Sequence, residues 1–240
     1  MKSSLNADFN PRLTGTAESP FIQRSLGSSR TDEVCEDSGA PLQTASIEKS
    51  SNRRSLLKWE EESRRDVFQC RVFSIHESVC RSPDNTDTGV FVAIDSADWA
   101  IILPVMETEQ GKAFVMVRQW RHGAQEMSLE FPGGVFESGE TPTSAALREL
   151  EEETAYTARK ITSLGMMSPN PAIMSNHTYF FLAEELEKLP AQRLDKDEYV
   201  DVEIVPINEA LNNMGKPPYI HALMGTAVAL YMQKAREERP

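Results

Sequence analysis

An α+β fold, a mixed β-sheet with helices packed on it, is what this sequence predicts, and two observations carry the reading. Strand-like segments follow one another from about residue 55, a helical segment interrupts them near residue 150, and helical segments close the chain. The chain has 240 residues, 40% of them apolar and 26% charged, enough for one globular domain plus a tail.

The tail is residues 1–54. Ser and Thr fill 14 of those 54 positions, Phe9 and Phe21 are its only aromatics, and its seven basic and seven acidic residues cancel. Such a segment buries too little apolar area to offset its ordering entropy, so it is expected to be mostly disordered: an over-called start, a passive tail or a functional arm. From there to residue 240 the texture is that of a domain.

Phe68–Ile75 alternates as a strand, and Gly89–Ile94 and Trp99–Val105 are further strands. Glu107–Lys112 reads as a turn before a strand at Ala113–Trp120. A short strand, Ser128–Phe131, runs into Pro132-Gly133-Gly134. A helix is expected over Thr143–Tyr156, with Thr141 or Thr143 as cap and Pro142 suited to the first turn. Strands follow at Ile161–Met167, Thr178–Ala183 and Val200–Val205, then helices at Ile207–Asn213 and Ile220–Glu238. No internal repeat is present.

The net charge of −12 argues against a nucleic-acid binder, whose phosphate contacts need a basic surface. It leaves room for a small anionic substrate held by a divalent metal and a few arginines. No apolar run reaches about 18 residues, so no membrane span is expected, and Met1–Asn10 lacks a secretory layout, which makes the cytoplasm the default compartment. Cys35, Cys70 and Cys80 form neither a metal spacing nor a disulfide framework and read as reduced thiols.

The helix near residue 150 carries the chemistry. At about 100° per residue, Glu149, Glu152 and Glu153 share one arc, Leu147, Leu150 and Thr154 form a separate packing face, and Glu151 points away from both. Three carboxylates on one face repel unless a cation compensates them, and hard oxygen donors suit Mg²⁺ or Mn²⁺. A bare cluster of this kind is more often a solvated helix face. Here glycines at 133, 134 and 139 lead into it, permitting tight turns and close backbone approach, and Arg148 stands four residues before Glu152.

The segment Gly134, Glu140, Arg148, Glu149, Leu150, Glu152, Glu153 resembles the Nudix box at seven spaced positions. Ala155 departs from the family's usual Gly and Tyr156 from its aliphatic residue; Ala is a small change if a positive φ is not required there. The resemblance implies an α/β/α sandwich, with Glu149 and Glu153 as principal metal ligands, Glu152 assisting, the Gly133 carbonyl adding a ligand, and Arg148 and Glu140 supporting helix and loop. It implies attack of a metal-activated water on a diphosphate. Four histidines and three cysteines without triad-like context speak against a covalent intermediate.

The segments Gln119-Trp120-Arg121 and Leu129-Glu130-Phe131-Pro132 look like the branch that hydrolyses ADP-ribose and nucleoside-diphosphate sugars. That resemblance puts Arg121 and Glu130 in the substrate cleft, with a strand-end salt bridge as the lesser alternative for Arg121. By the same branch, Asn170 in Ser168-Pro-Asn-Pro is a ribose or phosphate contact or a simple turn. Glu198, ahead of the strand at Val200, is a catalytic base or metal ligand, or part of a solvated loop. The branch also implies a homodimer with exchanged N-terminal strands, in which Trp59 or Phe68 could stack on a base. The expected reaction is ADP-ribose to AMP and ribose 5-phosphate. The competing readings are other nucleoside-diphosphate sugars, a nucleoside triphosphate, or a nucleotide-sensing domain without turnover; the intact glutamates disfavour the last.

Overall fold

The computed structural model describes residues 55–237, so the reading of residues 1–54 lies outside the described residues. After a 3₁₀ turn at Ser55–Leu57 come β1 (Glu60–Gln69), β2 (Phe73–Arg81), β3 (Thr88–Ser96), β4 (Trp99–Thr108), β5 (Gly111–Arg121), β6 (Glu126–Glu130) and β7 (Gly133–Val135). The helix α1 (Pro142–Thr154) follows, then β8 (Tyr156–Met167), β9 (Thr178–Lys188), β10 (Asp201–Pro206), α2 (Ile207–Asn213) and α3 (Ala222–Glu237).

A strand that is apolar on both faces has to be covered on both, and β4 is such a strand: Ala100 to Val105 are all buried. It lies at the centre of a seven-stranded sheet of order β10-β5-β4-β9-β8, with β6 paired to β5 and β7 to β4. The β4–β9 pair is parallel and its neighbours are antiparallel, which makes the sheet mixed. Alternation along β4 and β9 then sorts the core into two layers. Ala100, Ile102, Phe181 and Ala183 pack with Ala145, Ala146 and Leu150 of α1. Ile101, Leu103, Phe180 and Leu182 pack with Leu223, Met224 and Ala227 of α3. The helices therefore lie on opposite faces, the sandwich that the sequence led us to expect.

α1 begins where local chemistry dictates. Thr141 accepts from the Ser144 N–H, Ser144 Oγ accepts from the Thr141 N–H at 2.9 Å, and proline occupies the first turn, so Thr141 rather than Thr143 is the cap. It ends at Ala155, which adopts φ 54° and ψ 37°. A positive φ is thus required at the position where the Nudix box has glycine, and the methyl group there costs roughly 1–2 kcal/mol. β8 starts at once with Tyr156, whose ring lies 4.1 Å from Lys188 Nζ.

A second sheet, β1-β2-β3, stands apart in character. The strand expected at Phe68–Ile75 is instead the corner of a hairpin. Cys70 N–H donates to the Phe73 carbonyl at 3.0 Å, and Phe68 and Phe73 meet across the bend with ring centroids 5.9 Å apart. β1 itself escaped the sequence reading because no residue in it is buried, leaving no alternation to detect. The small sheet is tied to the loop before β9 by Ser175 Oγ, which donates to Asp95 Oδ1 at 2.7 Å, while Asp95 also meets buried His76 at 2.8 Å.

Candidate active site

The floor of the site is the turn from β6 into β7. Pro132 gives its carbonyl to the Ile102 N–H, and Gly133 pairs with Ile101, so the turn is pressed against β4. A Cβ at Gly133 would lie 2.3 Å from the Ala100 carbonyl oxygen, and one at Gly134 2.3 Å from Glu149 Oε1. Only glycines let sheet, turn and helix approach so closely. The Gly133 N–H donates to Glu153 Oε2 at 3.0 Å, joining the turn directly to the helix carboxylates.

Glu149 and Glu153 are buried at 8% and 5% exposure, while Glu152 sits nearer solvent. Burial pushes Glu149 up to about 7, offset by Arg148 and reinforced by Glu152 and Glu198. Burial and then Glu149 push Glu153 up to about 8. Arg148 is the local counter-ion: its guanidinium donates to Glu140 Oε1 at 2.8 Å, Glu149 Oε1 at 2.8 Å, Glu152 Oε2 at 3.0 Å and the Val135 carbonyl at 3.0 Å. It fastens the glycine loop to α1, which makes it a positioning residue.

Among the described residues no three acidic, histidine or cysteine side chains already converge as a metal cage. The donor set nonetheless fits a hard divalent cation: two buried carboxylates repel each other across a glycine turn, with Glu152 at its edge, and charge compensation would restore their ionised forms. Glu198 lies in an exposed turn, its carboxylate accepting from the Asp195 N–H at 3.1 Å, close enough to bear electrostatically on Glu149 and Glu153. The loop holding it is docked on the end of α1 through Gln192, which donates to the Glu153 carbonyl, and the Arg193 N–H, which donates to the Glu152 carbonyl at 3.0 Å.

Above the turn opens a cavity of about 210 Å³ lined by Trp99, Arg121, Glu130, Gly133, Gly134 and His221, among others. Arg121 donates to both Glu130 oxygens, at 2.8 and 2.6 Å, and Glu130 is 1% exposed. Burial raises the Glu130 pKa, but Arg121 outweighs it and holds the carboxyl below its ordinary value. The salt bridge and the cleft-lining position thus coexist. Asn170 is not brought into this cleft: it is exposed, and its carbonyl accepts from the Ile173 and Met174 N–H groups in a turn. His221 was missed. It lies 91 residues beyond Glu130, alone in an apolar stretch, and only the packing of α3 brings it to the cleft.

The arrangement can hold a cation on one wall and a phosphate group on the other. A family model described as NUDIX domain matches residues 98–224, and the chain belongs to this family. It is 44% identical to the ADP-ribose pyrophosphatase of Bacillus subtilis (strain 168) over 105 residues, 43% of this chain and 56% of that protein. It is 38% identical to the methanol dehydrogenase activator of Bacillus methanolicus over 98 residues, 40% of this chain and 53% of that one. The chain thus spans just over half the length of these two relatives. A crystal structure of an ADP compounds hydrolase superposes with a TM-score of 0.66 at 20% identity, covering 76% of this chain and 97% of that chain, a likeness of fold. Among the described residues no helix is long and apolar enough to cross a membrane.

Proposed function

We propose that the chain hydrolyses the diphosphate bond of a nucleoside diphosphate linked to a second moiety, with ADP-ribose, giving AMP and ribose 5-phosphate, as the leading substrate. One observation carries the reading. The buried pair Glu149 and Glu153 sits against a glycine turn on the floor of the cleft that Arg121 lines. Glu149, Glu153 and, at the edge, Glu152 would hold Mg²⁺, or Mn²⁺ in its place, with the Gly133 backbone alongside. When bound, the cation neutralises the phosphates and lowers the pKa of the attacking water. Arg121, oriented by Glu130, meets phosphate charge from the other wall. Glu198, on its docked loop, is the group assigned to take the proton of the attacking water. Arg148 keeps loop and helix in register throughout. The relative named ADP-ribose pyrophosphatase supports the choice of substrate.

A homodimer and a cytoplasmic setting belong to the same reading. The small sheet exposes Val90, Phe91 and Val92 at 66%, 46% and 51%, an apolar surface that association would cover. Cys70 and Cys80 are free thiols, in keeping with a reducing compartment.

The test is release of monophosphate from ADP-ribose, ADP-glucose, GDP-mannose, NADH and 8-oxo-dGTP with Mg²⁺, against an EDTA control. Metal-dependent AMP from ADP-ribose is the expected result. Turnover of another compound alone would replace the substrate, and binding without turnover would replace hydrolysis by nucleotide sensing.

A further inference from the structure

A second hollow, of about 460 Å³, adjoins the cleft and shares Arg121 and His221 with it. Its wall contains Trp120, Gly123, Ser128 and Ile220. Its volume falls in the range of small-ligand sites, ~300–1,000 Å³. Apart from the shared Arg121, no residue assigned to hydrolysis lines it.

Three features point to what it would bind. Ser128 is 0% exposed, and its hydroxyl, near the Glu130 carboxylate, completes no well-formed hydrogen bond. A buried hydroxyl left in this state is costly unless something else meets it. His221 caps α3: its Nδ1 accepts from the Leu223 N–H at 3.2 Å, which leaves the proton of the neutral ring on Nε2 as a donor. The ring is held beside β6 because the Pro218 carbonyl accepts from both Leu129 N–H, at 2.9 Å, and Ile220 N–H, at 3.0 Å. Trp120, 44% exposed, offers an aromatic flank.

A hydroxyl that can donate or accept, a fixed N–H donor and one aromatic flank match an uncharged, hydroxyl-rich ring. A nucleobase would ask for a second apolar face. We propose that this hollow is a subsite for the sugar half of a two-part diphosphate substrate, read by the Ser128 hydroxyl and the Nε2–H of His221, while Arg121 holds the phosphates at its mouth. This rests on the diphosphate-hydrolase reading above.

The experiment compares ADP-ribose with the methyl ester of ADP, which keeps the nucleotide and diphosphate and replaces the sugar by a methyl group. The full chain is used with Mg²⁺, as wild type, Ser128→Ala and His221→Asn. Asparagine retains an acceptor for the Leu223 N–H but lacks the reach of Nε2, so α3 stays capped. Each variant is expected to raise KM for ADP-ribose about tenfold more than KM for the methyl ester, the scale of one lost hydrogen bond. Equal losses on both substrates, or no loss on either, would overturn the subsite. Equilibrium binding of both compounds by calorimetry separates the two readings. A wild type that turns over neither compound but loses ADP-ribose affinity selectively on Ser128→Ala would refute hydrolysis and keep the subsite. A wild type that binds neither compound would overturn the subsite itself.

Discussion

The two sheets of this chain obey the same hydrogen-bonding rules under opposite burial. In the seven-stranded sheet, β4 is covered on both faces by the two core layers. In the three-stranded sheet, β1 has no buried residue, and β3 presents valines and a phenylalanine to solvent. The first sheet is a finished core that can hold carboxylates in place. The second is a finished ladder with an apolar surface left exposed, which the proposed homodimer would cover.

The sharpest break in this contrast is Glu153→Gln. Turnover should fall roughly 1,000-fold, about 4 kcal/mol of barrier, while the melting temperature holds or rises because an amide does not bury a charge. An active variant would show that the large sheet's burial of Glu153 serves packing alone. Next, Val90→Lys with Val92→Lys charges one face of β3. Self-association should weaken about 100-fold, ~2.7 kcal/mol, in sedimentation experiments, and the monomer should unfold as before. A monomeric wild type would remove the proposed reason for that exposed surface.

Glu130→Gln tests the large sheet without touching the metal-side carboxylates. It should cost about 2 kcal/mol in denaturant titrations, less than a fully buried pair because Arg121 is partly exposed. Since Arg121 holds the Glu130 carboxyl below its ordinary value, the pair's contribution is present above that value and fades as pH falls through the lowered one. The gap between wild type and variant should therefore close in acid. The smallest effect is Ala155→Gly, expected to stabilise by about 1 kcal/mol by relieving the positive φ. A loss would mean that the buried methyl group packs better than its backbone strain costs.

What could be read in advance follows the same division. Glu149, Glu152 and Glu153 were legible because helical periodicity is local: three residues within five positions fix their common face. β4 and β9 were legible because double burial demands apolar runs. β1 was not, since a strand exposed on both faces leaves composition free. His221 was not, because its place depends on how α3 docks against β6, a contact between distant parts of the chain. The left-handed turn at Ala155 was half legible: the departure from glycine was visible, the dihedral that makes it matter was not.

The two adjacent glycines of the turn carry separate liabilities. A methyl group at 133 would strike the Ala100 carbonyl, which belongs to the ladder and has nowhere to go. At 134 it would strike the far end of the Glu149 side chain, which can swing aside. Alanine at 133 thus threatens the architecture. Alanine at 134 leaves a well-folded protein whose carboxylate has been evicted from its post, so a screen for stability would pass the very substitution that a screen for activity rejects.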